Sequence, residues 1–128
     1  MSHPKEELLR ELYAVFAKGD LPGFLDGCTD DVTFTVPGNA AVSGSFTKTT
    51  FVDLITVVMT RSAGTFQEDV VDVFANDEHG VLLLLHHFDR DGAPREYRTA
   101  HVVRFRGDKL SSWEEHPGSV AEFEDAWG

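Results

Sequence analysis

The spacing of apolar side chains changes period partway along the chain. From residue 4 to 18, Leu8, Leu9, Leu12, Val15 and Phe16 follow the pattern of one helical face, and Pro4 with Glu6 and Glu7 suits a helix start. Gly19 in "KGD" ends that helix, and "LPGFLDGC" predicts a short second one bearing Leu21, Phe24, Leu25 and Cys28. In "TDDVTFTVPG", Val32, Phe34 and Val36 alternate with Thr33 and Thr35, as on a half-exposed strand that Pro37 and Gly38 stop. "TTFVDLITVVMTRS" returns to helical spacing, with Phe51, Leu54, Ile55, Val58 and Met59 on one face and Thr50 with Asp53 as a capping box.

From Phe66 onward the period is two. "TFQEDVVDVFA", "GVLLLLHHFDRDG", "REYRTAHVVRFRGD" and "KLSSWEEH" read as four strands joined by "NDEHG", "RDGAP" and "RGD" turns, an antiparallel meander. The tail "SVAEFEDAWG" pairs Ser119 with Glu122 as a capping box and places Val120, Phe123 and Trp127 on one side of a short helix packed back on the body. Helices followed by strands in this order predict an α+β domain in which a strongly curved, mostly antiparallel sheet wraps around three N-terminal helices.

The segment "VLLLL" adds a constraint. Val81, Leu83 and Leu85 share one face and Leu82 and Leu84 the other, so both faces need shelter from water. One face meets the helices, and a second copy of the sheet covers the other, here taken first as the Leu82 and Leu84 face. A homodimer through the sheet is expected.

Composition narrows the function. At 128 residues, 41% hydrophobic and 26% charged, the chain is expected to be one domain, 1–128, with no stretch approaching the ~20 apolar residues of a membrane span. "MSHPKEELLR" lacks the features of a secretory signal, which makes the cytoplasm the expected location. A formal charge of −11 opposes nucleic acid and anionic lipid as partners. Cys28, without an internal partner, reads as a packed, inert thiol. His86 or His87, His101 and Glu115 are suitable metal ligands by type, but neither a helical H-E-x-x-H nor a cysteine pair supports a metal, and no glycine-rich loop supports a nucleotide, so no cofactor is expected. "HH" at 86 and 87 points to opposite faces, so one of the two can line a pocket, and alternation does not say which.

Taken together, "YAVFAKGD", "DDVTFTVPG" and "AHVVRFRGDKLSSWEEHPG" resemble the SnoaL-like branch of the nuclear transport factor 2 and ketosteroid isomerase superfamily. The resemblance implies a cone-shaped α+β barrel with an apolar pocket at its wide end and a dimer through its convex face. It also implies how the catalytic positions are filled. The steroid isomerase base falls on Val36, the oxyanion tyrosine on Leu12 with Tyr13 one residue away, and the second oxyanion donor on His101. The "WRD" of limonene-epoxide hydrolases is matched by "WEE", with Glu115 as the acid. A steroid isomerase mechanism is therefore not expected, for want of its base.

Strand parity makes the same residues interesting. Tyr97, Thr99, His101, Val103 and Phe105 share the face expected to line the concave pocket. Trp113 and Glu115 share a parity on the next strand, and a hairpin centred near Asp108 sets His101 opposite Glu115. His101 as base or oxyanion donor with Glu115 as its partner is the expected acid/base pair. Tyr13, Phe16, Phe34, Tyr97, Thr99, Val103 and Trp113 are the expected ligand-binding residues. Three functions remain open: an enzyme without cofactor acting on a small, mostly apolar ligand, a binding module using the same pocket without chemistry, and a dimeric interaction scaffold.

Overall fold

A computed structural model describes residues 3–128. The chain runs α1 (Pro4–Ala17), α2 (Leu21–Asp26), β1 (Cys28–Val36), β2 (Gly44–Thr47), α3 (Phe51–Arg61), β3 (Gln67–Ala75), β4 (His79–Arg90), β5 (Ala93–Arg106), β6 (Lys109–Pro117) and α4 (Val120–Trp127). The strands form one six-stranded sheet in the order β2-β1-β6-β5-β4-β3. All neighbours are antiparallel except β1 and β6, which run parallel. Edge strands β2 and β3 do not meet, so the sheet is an open cone rather than a closed barrel.

Local chemistry sets most boundaries. Helix α1 is capped by His3, whose ring nitrogen accepts from the Lys5 amide while Glu6 accepts from the His3 amide. The β4–β5 hairpin turns on Asp91 and Gly92, with φ of 54° and 78°, the left-handed pair that a two-residue turn needs to match the strand twist.

Several local expectations are corrected. Cys28 opens β1 instead of closing α2, because α2 ends at Asp26 with Gly27 as its cap. Thr50 makes no side-chain cap on α3; its hydroxyl accepts from the Thr47 amide instead. Met59 and Val120 are exposed rather than on the buried faces of their helices. Strand β2 carries no alternation that would reveal it and pairs with β1 as a short edge.

The face assignment in "VLLLL" is also reversed. Leu82 and Leu84 are buried under the helices, whereas Leu83 is 40% exposed. Gly80, of the same parity as Leu82, shows why. A Cβ there would lie 2.7 Å from Leu9 Cδ1 and 3.0 Å from Val103 Cγ2, so any side chain at this point would force the buried Leu9 of α1 to shift. Phe88, four positions after Leu84, points inward too and stacks on Trp127 of α4 at 4.2 Å between ring centroids. Full burial of a Leu, Val or Phe side chain contributes roughly 1.5–3 kcal/mol, so Leu9, Phe24, Phe34, Leu82, Leu84 and Leu110 together anchor the helices on the sheet.

Candidate functional site

Between helices α1–α3 and the inner face of the sheet lies a cavity walled by Phe16, Phe24, Phe51, Leu54, Ile55, Val58 and Phe66. Its volume is about 60 Å³. One wall is polar. Tyr13, Glu68, His86, Tyr97, His101, Trp113, Glu115 and Trp127 line it.

Strand pairing brings these side chains together. Glu68 of β3 stands opposite His86 of β4, His86 opposite Tyr97 of β5, and His101 of β5 opposite Glu115 of β6. The last pairing depends on a bulge. Arg106 pairs Lys109 and Phe105 pairs Leu110, but Arg104 pairs Ser112, so Ser111 is an extra residue. Through it, Leu110, Trp113 and Glu115 all face inward although their spacing is odd then even.

Two hydrogen-bond chains organise the wall, and donor-only groups fix their direction. In the first, the indole N–H of Trp113 donates to Tyr13 Oη at 3.0 Å, and Tyr13 Oη lies 2.6 Å from His101 Nδ1. An indole can only donate, so the Tyr13 hydroxyl accepts from Trp113, and His101 Nδ1 is then the one acceptor its own buried proton meets among the described residues; we assign the proton to that bond. The neutral His101 ring then carries its proton on Nε2. That atom is buried and has no hydrogen-bond partner. Burial, and then the neighbouring His86, hold the His101 pKa well below its ordinary value, so the ring is neutral.

In the second chain, the Trp127 indole donates to Tyr97 Oη at 2.8 Å, and Tyr97 donates to Glu115 Oε2 at 3.2 Å. Thr99 also donates to Glu115 Oε2, at 3.0 Å. His86 Nδ1 lies 2.9 Å from Tyr97 Oη and His86 Nε2 lies 2.6 Å from Glu68 Oε2. A doubly protonated His86 satisfies every one of these contacts. Burial pulls its pKa down, but the hydrogen bond and charge of Glu68 and the charge of Glu115 outweigh burial and leave it raised. Burial raises Glu115 above the ordinary carboxylate range against the opposing charge of His86. The phenols of Tyr13 and Tyr97 are likewise raised, first by burial and then by the carboxylates Glu68 and Glu115 respectively.

Of the residues expected from sequence, His101, Glu115, Tyr13, Phe16, Tyr97 and Trp113 line this one cavity. Phe34 and Val103 do not line it; both are fully buried in the core, Phe34 stacked on Phe51 at 4.2 Å. Thr99 acts through its bond to Glu115. No hydrogen bond joins His101 directly to Glu115. His86 stands near both, its Nδ1 3.7 Å from Glu115 Oε2 and its ring centroid 5.6 Å from that of His101. Thus His86, not His87, faces the pocket, while His87 pairs with Asp69 outside. Glu68 and Trp127 were missed. Glu68 alternates with Phe66 and Val70, and an acid flanked by apolar residues of its own parity was the available signal.

The sequence model of the SnoaL-like domain matches residues 9–113. An uncharacterized protein of Mycobacterium tuberculosis is 28% identical over 126 residues, covering 94% of each chain. Among solved structures, Bal32a from a soil-derived mobile gene cassette superposes with a TM-score of 0.89 at 17% identity, covering 97% of this chain and 96% of that one. An NTF2-like protein of unknown function from Burkholderia pseudomallei does so with a TM-score of 0.84 at 23% identity, covering 96% of each chain. The structural likenesses establish the fold, and the sequence match spans most of the chain. The chain therefore belongs to the SnoaL-like domain family, a small-molecule-binding domain on the NTF2-like fold.

Proposed function

We propose that the cavity binds a small, mostly apolar, neutral molecule through a carbonyl or comparable oxygen and performs acid/base chemistry on it with its own side chains. The observation that carries this reading is His101 Nε2, a buried donor with no partner, on the wall of an otherwise apolar cavity. An unmet buried donor costs about 1–3 kcal/mol, which a ligand oxygen would return on binding. Because Tyr13 donates to Nδ1, His101 is read as an oxyanion donor and not as a base. Glu115, buried and raised in pKa on the same wall, is the proton-carrying group. Isomerisation, cyclisation and hydrolysis of a small ketone or related compound all fit this pair.

Calorimetric titration with acetophenone and cyclohexanone tests the reading. Expected is binding to the wild type, weakened about tenfold by His101→Phe, with benzoate excluded by the Glu68 and Glu115 carboxylates. Equal binding of toluene and acetophenone would contradict it. Ketone binding with no exchange of the α-hydrogens into D₂O would leave a binding module in place of an enzyme.

The chain is further proposed to pair as a homodimer through the convex sheet face. Phe74, Val81 and Val102 stand in one row and Leu83 with Ala100 in the next, with Phe74 53% exposed. Such a row on a two-fold axis is self-complementary.

A further inference from the structure

Three side chains on the polar wall have an arrangement that the ligand reading does not use. Glu68 Oε2 lies 2.6 Å from His86 Nε2 and 4.0 Å from His101 Nε2. All three ligand-capable atoms fall within 4.8 Å of one another. They come from adjacent strands β3, β4 and β5, which form a rigid backbone for them.

We propose that Glu68, His86 and His101 form a binding site for a divalent transition-metal cation, ligated through Glu68 Oε2, His86 Nε2 and His101 Nε2.

Four observations support it. First, each imidazole is held at Nδ1 by a phenol, His86 by Tyr97 at 2.9 Å and His101 by Tyr13 at 2.6 Å. Orientation of a ligating histidine through its second nitrogen is the usual outer support of metal sites, and here it aims both Nε2 atoms at one carboxylate. Second, the ion pair between His86 and Glu68 explains two of the three groups but not His101, whose Nε2 is buried and unpartnered beside them. Third, two carboxylates converge on His86, Glu68 Oε2 at 2.6 Å and Glu115 Oε2 at 3.7 Å, a concentration of buried oxygen ligands that a dication suits. Fourth, three protein ligands leave coordination positions open toward the apolar cavity, as in catalytic rather than structural zinc sites.

Ligation is geometrically accessible. Metal–ligand distances of about 2.0–2.2 Å place tetrahedral ligand atoms roughly 3.4 Å apart, so the 2.6 Å contact must open by about 0.8 Å, the 4.0 Å contact must close by about 0.6 Å, and the third pair, within 4.8 Å, closes by at most about 1.4 Å. His101 would shift its proton from Nε2 to Nδ1, where Tyr13 Oη can accept it. Two imidazoles and one carboxylate favour zinc, cobalt, nickel or ferrous iron over magnesium and calcium. This site goes beyond the ligand reading, in which His101 Nε2 serves as a donor. A bound cation would add Lewis-acid polarisation of the ligand oxygen.

The test is titration of the EDTA-treated full chain with Zn²⁺ by calorimetry and with Co²⁺ by visible absorption. Expected is one ion per chain with micromolar or tighter affinity, a ligand-field spectrum, and no Mg²⁺ binding. Glu68→Gln and His101→Phe should each weaken Zn²⁺ by about tenfold or more, while His87→Ala and His116→Ala, which alter histidines outside the cavity, leave it unchanged. Near-ultraviolet circular dichroism identifies variants that fold, and the conservative Glu68→Gln keeps the test valid if His101→Phe does not. Failure to bind a stoichiometric ion, or binding lost with His87 or His116 and kept in Glu68→Gln, overturns the site. Ketone titration of the EDTA-treated protein separates the two readings, because it can succeed where metal binding fails.

Discussion

Glu115 faces His101 across β5 and β6 because β6 takes one extra residue, Ser111, after the hairpin. Without that bulge the pairing begun by Arg106 and Lys109 would set Glu114 opposite His101 and turn Glu115 to solvent. The irregularity thus determines which of two adjacent acids enters the cavity. It has a cost that a substitution should reveal.

Burial raises the Glu115 pKa above its ordinary 4.5. A carboxyl raised by folding holds its proton where the unfolded chain has lost it, so the contribution of Glu115 to stability is greatest at low pH and falls as pH rises from about 4.5 to the folded pKa. Glu115→Gln removes that loss. The variant should match the wild type near pH 4 and exceed it at pH 8 in urea melts, while binding ketones more weakly. A variant less stable at pH 8 would show that the carboxylate is a net stabilising partner of His86.

How far the sequence revealed this wall depended on where the period was clean. Alternation in β5 placed Tyr97, Thr99, His101 and Val103 on the inner face, as observed. In β4 it did not suffice, because leucines occupy both parities and only Gly80 and Phe88 distinguish them. Pairing arithmetic around Asp108 gave the right partner for His101 because the bulge lengthened one arm by one residue. Parity with Phe66 and Val70 could have turned Glu68 inward, but its partner could not be read locally, because the pairing with His86 is a cross-strand relation that a local pattern does not encode. Phe34 and Val103 share the inward parity but lie deeper than the cavity, a distinction of depth that parity cannot make.

Light scattering should give a dimer mass at micromolar concentration. Leu83→Lys should yield a folded monomer, whereas Leu84→Lys, with its side chain at 2% exposure, should unfold the chain by burying an unpaired charge. A wild-type monomer would remove the dimer.

Cys28 is fully buried, and burial pushes its thiol up to about 11. Only about one thiol in a thousand is ionised at pH 8, so alkylation by iodoacetamide should be at least ~100-fold slower than that of glutathione. Because the folded state favours the protonated thiol, the associated stability is complete below pH 9 and is lost as pH rises toward 11. Rapid labelling under native conditions would contradict this burial.

Val36 is apolar and lines the cavity at the position that the steroid isomerase resemblance assigns to a base. General-base help is typically worth ~10²–10⁴ in rate, so conversion of a β,γ-unsaturated ketosteroid should be negligible. Rapid turnover would refute the assignment of that position.

The central claim rests on one nitrogen, and a crystal structure of the EDTA-treated protein with acetophenone examines it directly. The account predicts the ring within the apolar wall of Phe24, Phe51 and Leu54, and the carbonyl oxygen about 2.7–3.2 Å from His101 Nε2, with Tyr13 still bonded to Nδ1. A ketone bound with its oxygen turned away from His101, or bound only outside the cavity, would contradict it.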